Sequence, residues 1–327
     1  MAGPATARLP AGAARGNHLT LAIDKLPLAP GPWTTAGLTS AAMVAFAANS
    51  LLCRAALGGG HADAVTFTAL RILGGALALG LLARVRGATA PPPGPAWGSA
   101  VALFAYAAGF SLAYTRVPAG VGALVLFAAV QLTMNGAGLA AGERPRPLEW
   151  VGLACSLAGL LLLTRPGLSA PDPLGALLML AAGAAWGIYS LRGRGRGDAV
   201  AVNAASFGRA LPLALAAEAA AALLGAVHLR PEGAWLALAS GAIASGLGYA
   251  VWYAAIRGLT ATRAAIVQLS APPLAAAGAV TFLGEPVSSR LPAASVLILG
   301  GIAVAVAARG RQPSGDDRTA APESPPT

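Results

Sequence analysis

Three charged side chains fall well inside long apolar runs: Arg71, Arg209 and Glu218. A charge in such surroundings is costly and calls for a partner, a cavity or a transport path. Arg71 and Arg209 have two readings. The first, and the one expected, extends each guanidinium along its helix to the nearer interface. The second makes the pair gates or attractors of an anionic group. Glu218 stands nine residues after Arg209, about 180° around an ideal helix, so the two cannot pair within it. A buried carboxylate there suits either a packing site near one interface or proton coupling. Neutral groups recur at helical spacing beside these charges. Asn49 and Cys53 share a face, as do Gln131 and Asn135. Gln268 lies one turn before Pro272, and Tyr106 and Phe110 are four apart. Trp186 with Tyr189, and Tyr249 with Trp252, add aromatic surface. Amides and aromatic rings orient an organic solute but break no bonds, and this set is read as lining one amphipathic pathway. The alternative is that the amides hydrogen-bond between helices and hold the bundle together.

Bond-breaking chemistry finds no support. The 12 acidic residues fall mostly in tails and loops, with no paired-aspartate motif. His18, His61 and His228 lie in a tail or loops, and Cys53 and Cys155 lie singly in apolar runs. No metal set, nucleophile with its base, or Walker-type phosphate loop emerges. No catalytic residue, metal or cofactor is therefore expected. A lipid-modifying membrane enzyme and a non-transporting sensor subunit remain the rival classes.

The surrounding chain is 327 residues long, 56% apolar and only 10% charged, against about 25% charged in a typical soluble domain. Its mean hydropathy is +0.67. Too little polar surface exists to coat a water-soluble particle, so lipid is the expected medium. Ten runs are long enough to cross a bilayer: 36–57, 63–83, 96–115, 118–141, 148–164, 173–191, 203–227, 233–256, 260–283 and 291–308. Asp63 and the Asp172-Pro173 pair provide N-caps for the second and sixth. With the N-terminus inside, 15 basic residues fall in inside segments and 4 in outside loops. That bias places both termini in the cytoplasm. The net charge of +10 thus reads as a topology signal rather than a nucleic-acid footprint. Trp33, Trp97, Trp150 and Trp235 fall near span ends and suit an interfacial belt.

The chain also repeats itself. Gly142-Glu143 and Gly284-Glu285 stand 142 residues apart, and at that offset Ala119 matches Ala261, Val125 matches Val267 and Gly136 matches Gly278. Ala158-Gly159 then matches Gly300-Gly301. Nearer each start the offset is 138, relating Arg71 to Arg209 and Trp97 to Trp235. Five spans per copy, an odd number, turn the second copy upside down. Each copy runs through an apolar helix, Gly-Glu, then a Gly-rich apolar helix. In that order and spacing, residues 36–308 resemble the drug/metabolite transporter superfamily, EamA type. The resembling stretches are Gly142-Glu143 to Pro166 and Tyr249 to Val306, including Ala271-Pro272 and Leu283-Gly284-Glu285. One departure is visible: Val130 and Gln131 stand where the second copy has Pro272 and Pro273.

The expectation is an all-α integral membrane protein of ten transmembrane helices in two inverted five-helix repeats. These span residues 36–166 and 173–308, with cytoplasmic, disordered segments at 1–35 and 309–327. The resemblance implies a carrier in the cell (inner) membrane, usually an exporter of small organic metabolites. Its partners are then the solute and the bilayer. Small-residue faces, such as Gly152 with Ser156 and the Gly300-Gly301 pair, serve either the interior or a homodimer contact.

Overall fold

The structure is a computed structural model, and it describes residues 32–87, 97–140, 147–164, 171–193, 198–255, 267–268, 270–286 and 289–309. The described residues are helical apart from turns and one isolated bridge between Ala62 and Leu229. The first half holds α1 (Pro32–Gly58), α2 (Ala64–Val85), α3 (Trp97–Tyr114), α4 (Ala119–Ala140) and α5 (Pro147–Thr164). The second opens with α6 (Pro173–Gly193) and α7 (Ala199–Leu223). One rod follows, made of α8 (Pro231–Ala239), a π-helical stretch (Ser240–Leu247) and α9 (Gly248–Ala255). Then come α10 (Ala271–Leu283) and α11 (Arg290–Arg309). Among the described residues, six helical segments are long and apolar enough to cross a membrane: Trp33–Gly58, Ala64–Val85, Trp97–Tyr114, Pro173–Gly193, Val200–Leu223 and Pro231–Trp252. Four shorter apolar helices accompany them, at Ala119–Met134, Trp150–Gly159, Ala271–Leu283 and Arg290–Val304.

The packing is that of two interleaved halves. Helix α2 packs on α7, and α5 on α11. Helix α3 packs on α6 while α1 packs on the α8–π–α9 rod; α4 packs on α6 while α1 packs on α10. Exchanging the two halves turns this set of pairings into itself. Small residues permit the closest approaches, as van der Waals packing in lipid requires. Ser156 Oγ donates to Gly152 O at 2.9 Å and Ile298 O at 3.2 Å, and Gly301 lies directly on the Gly152 carbonyl. These small residues therefore serve the seam between α5 and α11. Gly241 lies against the Arg71 carbonyl, where a methyl group would collide with the α2 backbone.

Helix ends follow the chemistry of their caps. Asp172 Oδ1 accepts from Gly175 N at 2.7 Å, and Asp198 Oδ1 accepts from Ala201 N at 2.9 Å. Gly284 ends α10 in the left-handed region, at φ 62°, a conformation that costs glycine little. The turn lets Glu285 N donate back to Ala279 O at 3.1 Å and swings the carboxylate off the helix axis. Pro272 and Pro273 lie in the first turn of α10, where the missing N–H groups have no intrahelical partner to lose. At this helix start Leu274 N donates to Ser270 O at 3.2 Å. Helix α4 runs unbroken through Val130 and Gln131. Residues 1–31 and 310–327, with Glu143, lie outside the described residues.

At one end of the bundle the loops of the two halves are stitched together. Asp63 N donates to His228 O and Arg230 N to His61 O, both at 2.8 Å. Asp63 Oδ1 accepts from Val65 N and Thr66 N at 2.9 Å, and Oδ2 accepts from His228 N at 2.8 Å. Partial burial pushes this carboxyl upward, but these hydrogen bonds outweigh it and hold Asp63 below its ordinary value. The stabilisation is full above the unfolded carboxyl's pKa and is lost as pH falls through the depressed folded value. Asp63→Ala should therefore lower the unfolding temperature at pH 7, at a cost of about 1–2 kcal/mol. The gap between variant and wild type should narrow below about pH 4. Thermal unfolding of the purified full chain across pH measures both effects, and a gap that widened in acid would refute the cap assignment.

Candidate solute pathway

Helix α2 carries Arg71 inward rather than along its axis. The side chain is only 2% exposed, so the expected extension to the interface does not occur. Nearer partners account for this. Nη2 donates to the Tyr106 hydroxyl at 2.9 Å, and Nε reaches Ser245 Oγ at 3.4 Å. The guanidinium carbon stands 4.8 Å from the Phe110 ring centroid and 5.1 Å from that of Tyr106. Ring faces attract a cation by about 1–2 kcal/mol each when water is excluded. Nη1 is buried with no hydrogen-bond partner among the described residues.

Asn49 of α1 continues the network. Its Nδ2 donates to the Tyr106 hydroxyl at 3.4 Å, while Oδ1 accepts from Ser240 Oγ at 2.7 Å and Ser245 Oγ at 3.5 Å. Ser240 and Ser245 are five apart, which sets them about 140° apart on an α-helix. The π-helical turn brings both hydroxyls to one amide oxygen. α-Helical periodicity therefore hides these serines. The doubled Ser-Gly at 240–241 and 245–246 is the one sequence signal that marks them.

Aromatic rings from α1, α3, α6, α7 and α9 close around this network. Trp186 lies 4.8 Å from Tyr106, 5.0 Å from Tyr249 and 5.6 Å from Tyr189, centroid to centroid. Phe46 stands 6.0 Å from Tyr249 and 5.9 Å from Trp252. Phe110 follows Tyr106 at 5.4 Å, and Phe207 approaches Tyr249 at 6.2 Å. Tyr189 donates to Asn203 Oδ1 at 2.5 Å, tying α6 to α7. Asn203, like Phe207, carried no signal in the sequence beyond its place in an apolar run.

The expected pathway residues divide. Asn49, Tyr106, Phe110, Trp186, Tyr189, Tyr249 and Trp252 come together, and Cys53 is fully buried one turn beyond Asn49. Gln131 and Gln268 are half-buried, and no hydrogen bond among the described residues joins them to the Arg71 network. Pro272 is buried in the first turn of α10. The Asn135 side chain lies outside the described residues. Arg209, related to Arg71 by the repeat, is half-buried and donates from Nη1 to Ala205 O of its own helix at 3.3 Å. The two arginines therefore have different surroundings.

Glu218 lies toward the stitched end. Its Oε1 stands 2.9 Å from Thr66 Oγ1, which also stands 2.6 Å from Asp63 Oδ2. Glu218 Oε2 is buried with no partner among the described residues. At the same end, Arg54 Nε donates to Glu285 Oε1 at 2.6 Å, and Arg54 Nη1 donates to Tyr114 O at 2.9 Å. Glu285 Oε2 accepts from Ala119 N at 2.8 Å. Arg54 and Glu285 thus join α1, the start of α4 and the end of α10. Trp33, Trp97, Trp150 and Trp235 are exposed, in keeping with an interfacial belt. Among the described residues, no His, Cys, Asp and Glu group could hold a metal.

Tyr106 is the shared acceptor of the network. Tyr106→Phe keeps the ring and leaves two buried donors, on Arg71 and Asn49, without it. Each such donor costs about 1–3 kcal/mol. The variant should unfold at a lower temperature than wild type in detergent, and an unchanged midpoint would refute the role given to the hydroxyl.

Comparison with known proteins agrees with this architecture. A Pseudomonas aeruginosa protein, "Uncharacterized protein PA1977", is 55% identical over 276 residues, covering 83% of this chain and 94% of that protein. The "Uncharacterized inner membrane transporter YedA" of Escherichia coli K12 is 31% identical over 129 residues, 38% of this chain and 42% of that one. A solved crystal structure shares the fold, with a TM-score of 0.60 at 24% identity, covering 84% of this chain and 99% of its own. The family model for the EamA-like transporter family matches twice, at residues 33–165 and 173–307. With both halves of the chain matched, the protein belongs to the EamA-like transporter family.

Proposed function

We propose that this membrane transporter is a secondary carrier that exports small organic metabolites, coupled to protons. The observation that carries the proposal is the Arg71–Tyr106–Asn49 network, enclosed by aromatic rings between the two family-matched halves. Polar groups at such depth, walled by aromatic surface and with Arg71 Nη1 left without a partner among the described residues, suit a solute site rather than a catalytic centre. In this reading the six long and four shorter apolar helices make ten crossings, with the second five inverted on the first. The self-mapping helix pairings support that inversion. Rocking the two halves about the network then exposes it to either side in turn. The Arg54–Glu285 pair seals the end that the basic-residue count assigns to the outside. The same count supports cytoplasmic termini, and the printed name of the Escherichia coli relative supports the inner membrane.

Proton coupling is assigned to Glu218. Its Oε1 stands 2.9 Å from Thr66 Oγ1, where α7 meets α2, and its Oε2 is buried with no partner among the described residues, so a change in its charge is felt at a contact between the two halves. The groups about it are Asp63, Thr66 and the His228 backbone, all at the same end.

The test is flux in liposomes holding the purified full chain, across a panel of labelled small organic solutes, with and without a pH gradient. Wild type should show saturable flux that a pH gradient accelerates about tenfold. Glu218→Gln should retain exchange and lose the acceleration. A Glu218→Gln variant as responsive to the gradient as wild type would remove Glu218 from coupling, and absence of flux for every solute would overturn the carrier reading.

A further inference from the structure

Resting on the carrier reading, we infer that Arg71 Nη1 is the docking point for the negative group of a small organic anion, whose apolar body lies among Trp186, Tyr106 and Tyr249. A guanidinium carries five N–H donors and a full positive charge that no pH near neutrality removes. Nε and Nη2 have hydroxyl partners, yet Nη1 is enclosed with none among the described residues. Among the described residues, the elements around the guanidinium offer it no counter-charge. Helix α1 presents Asn49 and Cys53, α3 presents Tyr106 and Phe110, and the π-helical stretch presents Ser245. The two ion pairs among the described residues, Arg54–Glu285 and Arg116–Asp172, are made by other arginines.

A buried cation without its anion is a poor structural element, because aromatic faces and hydroxyls do not replace the hydration it has lost. A carboxylate or other compact anion set against Nη1 supplies both missing features, a charge and acceptor oxygens, in the fork geometry that arginine favours. The ring cluster beside it then sets the second half of the specificity. Trp186 stands within 5.0 Å of both Tyr106 and Tyr249, a surface suited to a flat or apolar body. The preferred ligand class is thus a monoanion with an aromatic or bulky apolar body. Neutral amides of the same shape leave Nη1 facing a weaker, uncharged acceptor and are rejected.

The experiment uses the purified full chain in detergent and follows both the unfolding temperature and tryptophan fluorescence. Benzoate is the probe, benzamide its neutral twin and chloride the inorganic control, at constant ionic strength. Benzoate should raise the midpoint and change the fluorescence saturably, benzamide and chloride should do neither, and Arg71→Gln should weaken benzoate binding at least tenfold. Arg71→Lys should recover part of the binding. Equal protection by benzamide or chloride, no protection by benzoate, or unchanged binding in Arg71→Gln would each overturn the assignment. The carrier reading fails separately. Selective binding of benzoate with no flux of any solute would refute transport and leave the anion site standing. Flux of neutral solutes unaffected by Arg71→Gln would do the reverse.

Discussion

A full positive charge enclosed on all sides is the constraint around which the centre of this bundle is organised. Arg71 draws Tyr106 and Phe110 of α3 against it, and Ser245 of the π-helical stretch closes the remaining side. Tyr106 then engages Asn49, and Asn49 gathers both serines of the π turn. Four elements thus meet in one network around the guanidinium. Gly241 lets this happen, because the rod can approach the Arg71 backbone only where no side chain intervenes. A π-helical stretch and a glycine on the same turn are local costs accepted at the place where the polar groups converge.

The ends of the bundle obey a second constraint, that helix termini and charges must satisfy one another where chain segments meet. Gly284 stops α10, and the next residue sends its carboxylate to Arg54 and to the first amide of α4. The Gly-Glu pair is thus a helix stop followed by a helix cap, and it links the second half to the first. Asp63 does the same for α2 and the loop carrying His228. These cross-half contacts lie at one end of the bundle, well removed along the helices from Arg71. A carrier of the proposed kind needs that separation, since the end contacts must break while the central network persists.

Much of this was legible in the sequence, and the reasons are physical. Apolar runs of bilayer length and a 142-residue offset between Gly-Glu pairs are long-range patterns that no local conformation can disguise. The caps at Asp63 and Asp172 were legible because they depend on neighbours two or three residues away. Asn49, Tyr106, Trp186 and Tyr249 were found because α-helical spacing puts them on inward faces. Ser240 and Ser245 were missed because a π turn alters that spacing. The direction of Arg71 was misjudged because a long side chain's path depends on which partners lie nearest, and those belong to helices distant in the chain.

The central claim is that the polar network becomes accessible from each side in turn, and that parting of Arg54 from Glu285 opens one of them. The direct measurement replaces Arg54 and Glu285 with cysteine in a chain whose Cys53 and Cys155 are alanine. The pair is then bridged with a short, reducible thiol reagent, and exchange is followed in liposomes. Exchange should fall at least tenfold on bridging and return on reduction. Exchange by the bridged protein at the unbridged rate would contradict the account, because the solute would then be crossing without opening that end.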